Sequence, residues 1–138
     1  MKSALPFFGV AVPDVRRVAR RALRGHPIDS RTELEATVRT LFDEVSHREE
    51  WYAALELWAV PRHARYRTPA LVPLFEHVVV TAAWWDVVDD AATHVLCPTL
   101  VAHPRSLDEV VLGWADADDL WLRRAALLSQ IGAKATLD

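Results

Sequence analysis

The stretch HVVVTAAWWDVVDD, His77 to Asp90, decides how the chain is read. Three consecutive valines, Val78 to Val80, suit a strand by residue type. Nothing nearby offers a strand to pair with, and the flanking segments repeat their apolar residues at helical spacing, so the stretch is read as helical. On a helix, Trp85 and Asp89 are four residues apart and share a face. Asp86 and Asp90 form a second such pair around the cylinder. Trp84, Val87, Val88 and Ala91 or Ala92 supply a buried stripe. From these residues alone two readings stand: an amphipathic helix with a solvated acidic face, or an aromatic wall holding a carboxylate.

Working outward, the chain is punctuated like a string of helices. Pro13 opens a segment through about Leu23, as proline suits a first helical turn, and Gly25 and Pro27 close it. SRTE (Ser30–Glu33) has the form of a capping box, followed by Leu34, Val38, Leu41, Phe42 and Val45 at helical spacing. SHRE (Ser46–Glu49) is read as a second box, followed by Trp51, Leu55 and Trp58 on one face. Thr68 and Pro69 start a helix through about Val80. SLDE (Ser106–Glu109) is read as a third box. A last helix runs from about Asp119 to Ile131, with Gly132 at its C-cap. Asn–Gly turn pairs are absent and strict alternation is rare. The expectation is an all-α chain of about seven helices, roughly 10–16 residues each, arranged as a HEAT-like α-solenoid. A plain helical bundle is the competing architecture.

A length of 138 residues fits one domain, and 51% hydrophobic with 25% charged residues is ordinary globular composition. No apolar run is long enough to span a membrane. The N-terminal stretch, broken by Pro6, Gly9 and Pro13, does not read as a signal peptide. Cys97 is the sole cysteine, which excludes an internal disulfide and a cysteine-rich metal site and points to a reducing, cytoplasmic setting. The net charge of -3 hides an asymmetry: residues 1–25 carry Lys2, Arg16, Arg17, Arg20, Arg21 and Arg24 against Asp14 alone. Such a patch can hold a polyanion on an otherwise acidic chain.

Two further stretches carry candidate chemistry. In DDLWLRRAALLSQ (Asp118–Gln130), Arg123 and Arg124 are either surface arginines or a phosphate clamp, since a guanidinium grips phosphate through two bonds. In PFFGVAVPDVRR (Pro6–Arg17), a Gly9 turn leads into a proline-started helix whose free N–H groups suit an anion, although Asp14 already answers the helix dipole. His63, His77, His94 and His103 are scattered and read as surface or satisfied residues. Cys97 reads as a small buried hydrophobe. A glycine-rich phosphate loop and a nucleophilic triad are not found.

Together, MKSALPFFGVAVPDVRR, WWDVVDDAA and WADADDLWLRRAALLSQ, in that order and spacing, resemble the AlkD-like DNA alkylation repair enzymes, a HEAT-like repeat DNA glycosylase family. The resemblance covers essentially all 138 residues as a single domain, and its W-W-D-x-V-D segment is the most specific part. It implies a monofunctional enzyme that excises positively charged N3- or N7-alkylated purines from double-stranded DNA, without metal or other cofactor. By position, Trp85 resembles the aromatic wall beside the lesion and Asp89 the catalytic carboxylate. Arg124, with Arg123 beside it, resembles the arginine facing the DNA backbone. Pro13 and Arg16, with Arg17, resemble a helix start that contacts the duplex. Lys2 and Lys134 are the only lysines, and neither is placed as a nucleophile. Family members have a helical segment before this one, and helices after it that bear a second lesion-flanking tryptophan. The chain therefore reads as truncated at both ends, with self-association expected through exposed solenoid ends. The alternative is a non-catalytic HEAT-like module that binds DNA or a protein.

Overall fold

The computed structural model describes residues 5–137. Among them every regular element is a helix, an all-α fold consistent with a HEAT-like helical solenoid. The chain divides into two compact units, one ending at Tyr66 and the other beginning at Arg67.

The first unit contains α1 (Val12–Gly25), α2 (Arg31–Asp43) and α3 (Glu49–Ala59), then a 3-10 segment, Pro61–Tyr66. Helices α1 and α2 both pack on α3. Each contributes one apolar stripe: Val15, Ala19 and Leu23; Leu34, Val38 and Phe42; Trp51, Leu55 and Trp58. Burying a large apolar side chain of this kind contributes about 1.5–3 kcal/mol, so the pattern of threes and fours in the sequence is what closes this core. Phe42 and Trp51 stack with centroids 5.5 Å apart. The SRTE box forms: the Ser30 hydroxyl accepts from the Glu33 N–H at 3.1 Å. The Glu33 carboxylate reaches back to the Asp29 N–H.

SHRE does not form the expected box. Arg48 is the N-cap of α3 and makes no side-chain cap. It is Glu50, one residue later than expected, that accepts from the Ser46 and His47 N–H groups and the Ser46 hydroxyl. Glu49 is diverted to a tertiary task. Its buried carboxylate accepts the N–H groups of Phe8 at 2.9 Å and Gly9 at 3.1 Å, while the Arg48 N–H donates to Pro6. Gly9 sits at φ +87°, a conformation open to glycine at little cost. Burial alone would push the Glu49 carboxyl up; the backbone N–H donors of Phe8, Glu49 itself, Gly9 and Val10 outweigh it and hold the group below its usual range.

The second unit starts with a 3-10 turn, Pro69–Leu71. It continues through α4 (Val72–Ala82), α5 (Trp85–Ala91), a π-helical turn (Ala92–Leu96), α6 (Cys97–Ala102), α7 (Pro104–Ala115) and α8 (Leu120–Leu137). The ambiguous Val78–Val80 run is helical, with Val78 and Val79 fully buried. The eight α-helices exceed the expected seven because α5 and α6 are one helical rod interrupted by the π turn. Pro98 explains the interruption. It has no N–H to offer the His94 carbonyl and its ring crowds that carbonyl, so the preceding turn widens.

Helix α8 packs against α4, α5, α6 and α7. Gly132 is not its C-cap, as the helix continues to Leu137. The glycine instead permits close approach: a Cβ there would lie 2.8 Å from the Cys97 Sγ. Cys97 is buried, as expected, and burial raises its thiol pKa. SLDE likewise lies inside α7, which Pro104 starts two residues earlier, so Ser106 caps nothing.

Candidate functional site

The site is built where α4 gives way to α5. Helix α4 ends in Ala83, whose backbone is left-handed (φ 43°, ψ 45°) and whose N–H bonds to Val79. A non-glycine residue there costs about 1–2 kcal/mol. Trp84 follows in extended conformation and α5 begins at Trp85. This reversal splits the tryptophan pair. Trp84 is partly exposed rather than a full core residue, whereas Trp85 is 54% exposed on the first turn of α5. Leaving so much indole in water forgoes apolar burial that a ligand could supply. The stripe beneath it, Val87, Val88, Ala91 and Ala92, is fully buried and fixes the rotation of α5. Trp85 and Asp89 are thereby left on its outer side, one turn apart.

The partner of Asp89 comes from α8. Asp119 caps that helix by accepting from the N–H groups of Trp121 and Leu122 at 2.8 and 3.0 Å. The Arg123 guanidinium folds back onto the carbonyls of Ala117 and Asp118. With the helix start fixed, Arg124 meets Asp89 through two bonds: Nε to Oδ1 at 2.5 Å and a terminal nitrogen to Oδ2 at 2.7 Å. The side chains keep 43% and 31% of their exposure, so the pair lies at the surface, open to an incoming ligand. Donating both bonds to Asp89, and facing its negative charge, raises the Arg124 pKa against the opposing pull of desolvation.

The neighbouring acids differ. Asp90 is only partly exposed and meets His94 Nδ1 at 2.6 Å, an i,i+4 pair on the helix surface. In the first unit, Pro13 is exposed near the start of α1, whose N-cap, Ala11, offers no side-chain bond. Arg17 pairs with Asp14 at 2.7 Å, and Arg16 lies 3.8 Å from Glu56 on α3, which Arg20 also approaches. His63 is buried with Nδ1 on the Leu57 carbonyl. Among the described residues no cluster of three or more His, Cys, Asp or Glu is placed to hold a metal ion, and no helix is long and apolar enough to cross a membrane.

The structure thus joins Asp89 to Arg124 across 35 residues of sequence, a contact that no local pattern announces. The Asp90–His94 pair and the Asp119 cap lie at ordinary helix spacings, but nothing in the sequence sets them apart from other such pairs. The family model for DNA alkylation repair enzymes matches residues 1–138. The chain belongs to the DNA alkylation repair enzyme family. No curated protein matches it. In this DNA alkylation repair enzyme the indole of Trp85 stands in solvent one turn from a carboxylate held on both oxygens by Arg124.

Proposed function

We propose that this family member is an AlkD-like glycosylase, one HEAT-like domain over residues 1–138, that excises cationic N3- or N7-alkylated purines from duplex DNA. The observation that carries the reading is Trp85, exposed on α5, one turn before the solvent-facing carboxylate of Asp89. An alkylated purine with a fixed positive charge is already a good leaving group. The bond between C1′ and the base nitrogen breaks, and its electron pair leaves with the base and neutralises it. Positive charge then develops on the sugar, where the Asp89 carboxylate stabilises it electrostatically. Water attacks C1′ and gives up its proton, with Asp89 as acceptor. The Trp85 face attracts the cationic base or sugar. Arg124 holds Asp89 oriented through two bonds, and with Arg123, Arg16, Arg17 and the Pro13 helix start it contacts phosphates.

The test is release of 7-methylguanine from methylated duplex DNA. Asp89→Asn should abolish release and leave duplex binding intact, and Trp85→Ala should weaken release without loss of fold. If the unmutated chain releases no alkylated base, the glycosylase reading is wrong. One observation favours a second reading: both oxygens of Asp89 are occupied by Arg124. A non-catalytic module that binds DNA or a protein would tolerate this. A steep loss of duplex affinity with salt supports the DNA version of that module, and a flat profile supports the protein version.

A further inference from the structure

We propose that the solvent face of α1, carried by Arg17, Arg21 and Arg24, is the surface by which the first unit holds the phosphate backbone of duplex DNA. The proposal rests on duplex DNA being the ligand, as in the proposed function, and not on the excision step.

Helix α1 carries five arginines and one acid in 14 residues. They are not equivalent. Val15, Ala19 and Leu23 turn one face into the core, and Arg16 and Arg20 flank it, drawn to Glu56 on α3. Arg17, Arg21 and Arg24 follow one another at four and three residues, opposite the core stripe, so they form one row. All three are exposed. Arg17 has only the exposed Asp14 beside it, and among the described residues no carboxylate pairs with Arg21 or Arg24. Like charges stacked at this spacing destabilise a helix, so the row is a cost to the free protein that a polyanion would relieve.

The distribution of charge between the units gives the row its role. Residues 1–66 hold eleven lysines and arginines against nine acids, and residues 67–138 hold five against ten. The unit that carries Asp89 is therefore repelled by DNA on average, local contacts at Arg123 and Arg124 aside, and the net attraction comes from the first unit. The residue type fits. The chain has 14 arginines and two lysines, and guanidinium binds phosphate through paired bonds. So does the length. Arg17 to Arg24 spans about 10 Å at 1.5 Å per residue, and a strand presents one phosphate per 3.4 Å of axis, so the row matches about three phosphates.

The experiment measures binding of the full chain to undamaged duplex across a salt series. Removing one phosphate-binding side chain lowers the slope of log affinity against log salt by about 0.9. Changing Arg17, Arg21 and Arg24 together to Ala should lower it by about 2–3. Lysine at the same three positions should retain the slope. Removing three exposed arginines elsewhere, Arg39→Ala, Arg62→Ala and Arg105→Ala, should lower it by less than half as much. A change below about 1 in the alanine variant, an equal fall in the control, or a flattened slope in the lysine variant overturns the proposal. Binding to anionic phosphatidylserine vesicles in place of duplex also overturns it. No base release enters the readout. A chain that binds steeply but excises nothing refutes the glycosylase reading alone.

Discussion

Breaking the Asp89–Arg124 pair tests whether its geometry, rather than mere proximity of charge, holds α5 to α8. Two charge-assisted bonds at 2.5 and 2.7 Å would together be worth about 3–6 kcal/mol in a dry interior. The side chains retain 43% and 31% of their exposure, so water and salt compete for both partners. Exposed pairs measure about 0.2–1 kcal/mol. A two-pronged pair on short helix-anchored geometry belongs at the upper end, about 1 kcal/mol of coupling at low salt. The assay is a double-mutant cycle by urea unfolding of the parent, Asp89→Ala, Arg124→Ala and the double variant. A coupling of that size shifts the melting temperature by about 3–5 °C and shrinks in molar salt, where screening acts within about 3 Å. Arg124→Lys keeps the charge but loses the fork, and should recover less than half of the coupling. A low-salt coupling under about 0.3 kcal/mol, the error of additivity, or full recovery with lysine refutes the argument.

Three other outcomes follow from the packing. Glu49→Gln should cost about 1–3 kcal/mol by weakening the hold on Phe8 and Gly9. Because the Glu49 pKa is lowered in the folded state, its contribution is full above the unfolded value and is lost as pH falls through the folded one. The stabilities of parent and variant should therefore converge as pH falls through and below the ordinary carboxylate range; a gap that persists or widens in acid contradicts the assignment. Ala83→Gly should stabilise by about 1 kcal/mol, since glycine adopts the left-handed backbone without penalty; a lower melting temperature argues against strain at this turn. Gly132→Ala should destabilise by about 1–3 kcal/mol through overlap with the Cys97 Sγ. The destabilisation should largely vanish in a Cys97→Ala background, and simple additivity of the two substitutions would show that the overlap is not what matters.

Helix existence and the core stripes are legible in the sequence because both depend on spacing, which a sequence carries in full. The apolar periodicity of α2 and α3 carries over to the core at Leu34, Val38 and Phe42 and at Trp51, Leu55 and Trp58, whereas Leu41 and Val45 at the edge of the α2 stripe stay partly exposed. Helix ends are less legible. SHRE and SLDE satisfy the rule for a capping box, yet Glu49 bonds instead to Phe8 and Gly9, and Pro104 starts α7 before Ser106 is reached. A short polar side chain takes whichever partner the tertiary structure brings near, and sequence names only the local ones. Gly132 misleads for a related reason: a glycine at a helix end and one at a helix crossing look alike until the opposing Cys97 is in place.

The sequence by itself determined an all-α chain, a helix from Trp85 through the aspartates, Trp85 and Asp89 on a common face, and a basic α1. These follow from the 3.6-residue period and from charge counts, which need no long-range contact. The sequence did not show the break at Ala83 and Trp84 that splits the tryptophan pair. Tertiary structure alone decided that Trp85 stays in solvent while Trp84 is partly covered, since the left-handed turn at Ala83 and the burial of Val87 and Val88 set the rotation of α5. It alone brought Arg124 onto both oxygens of Asp89. A contact between residues 35 apart depends on where two helices pack, and helix packing is fixed by the whole core rather than by either segment.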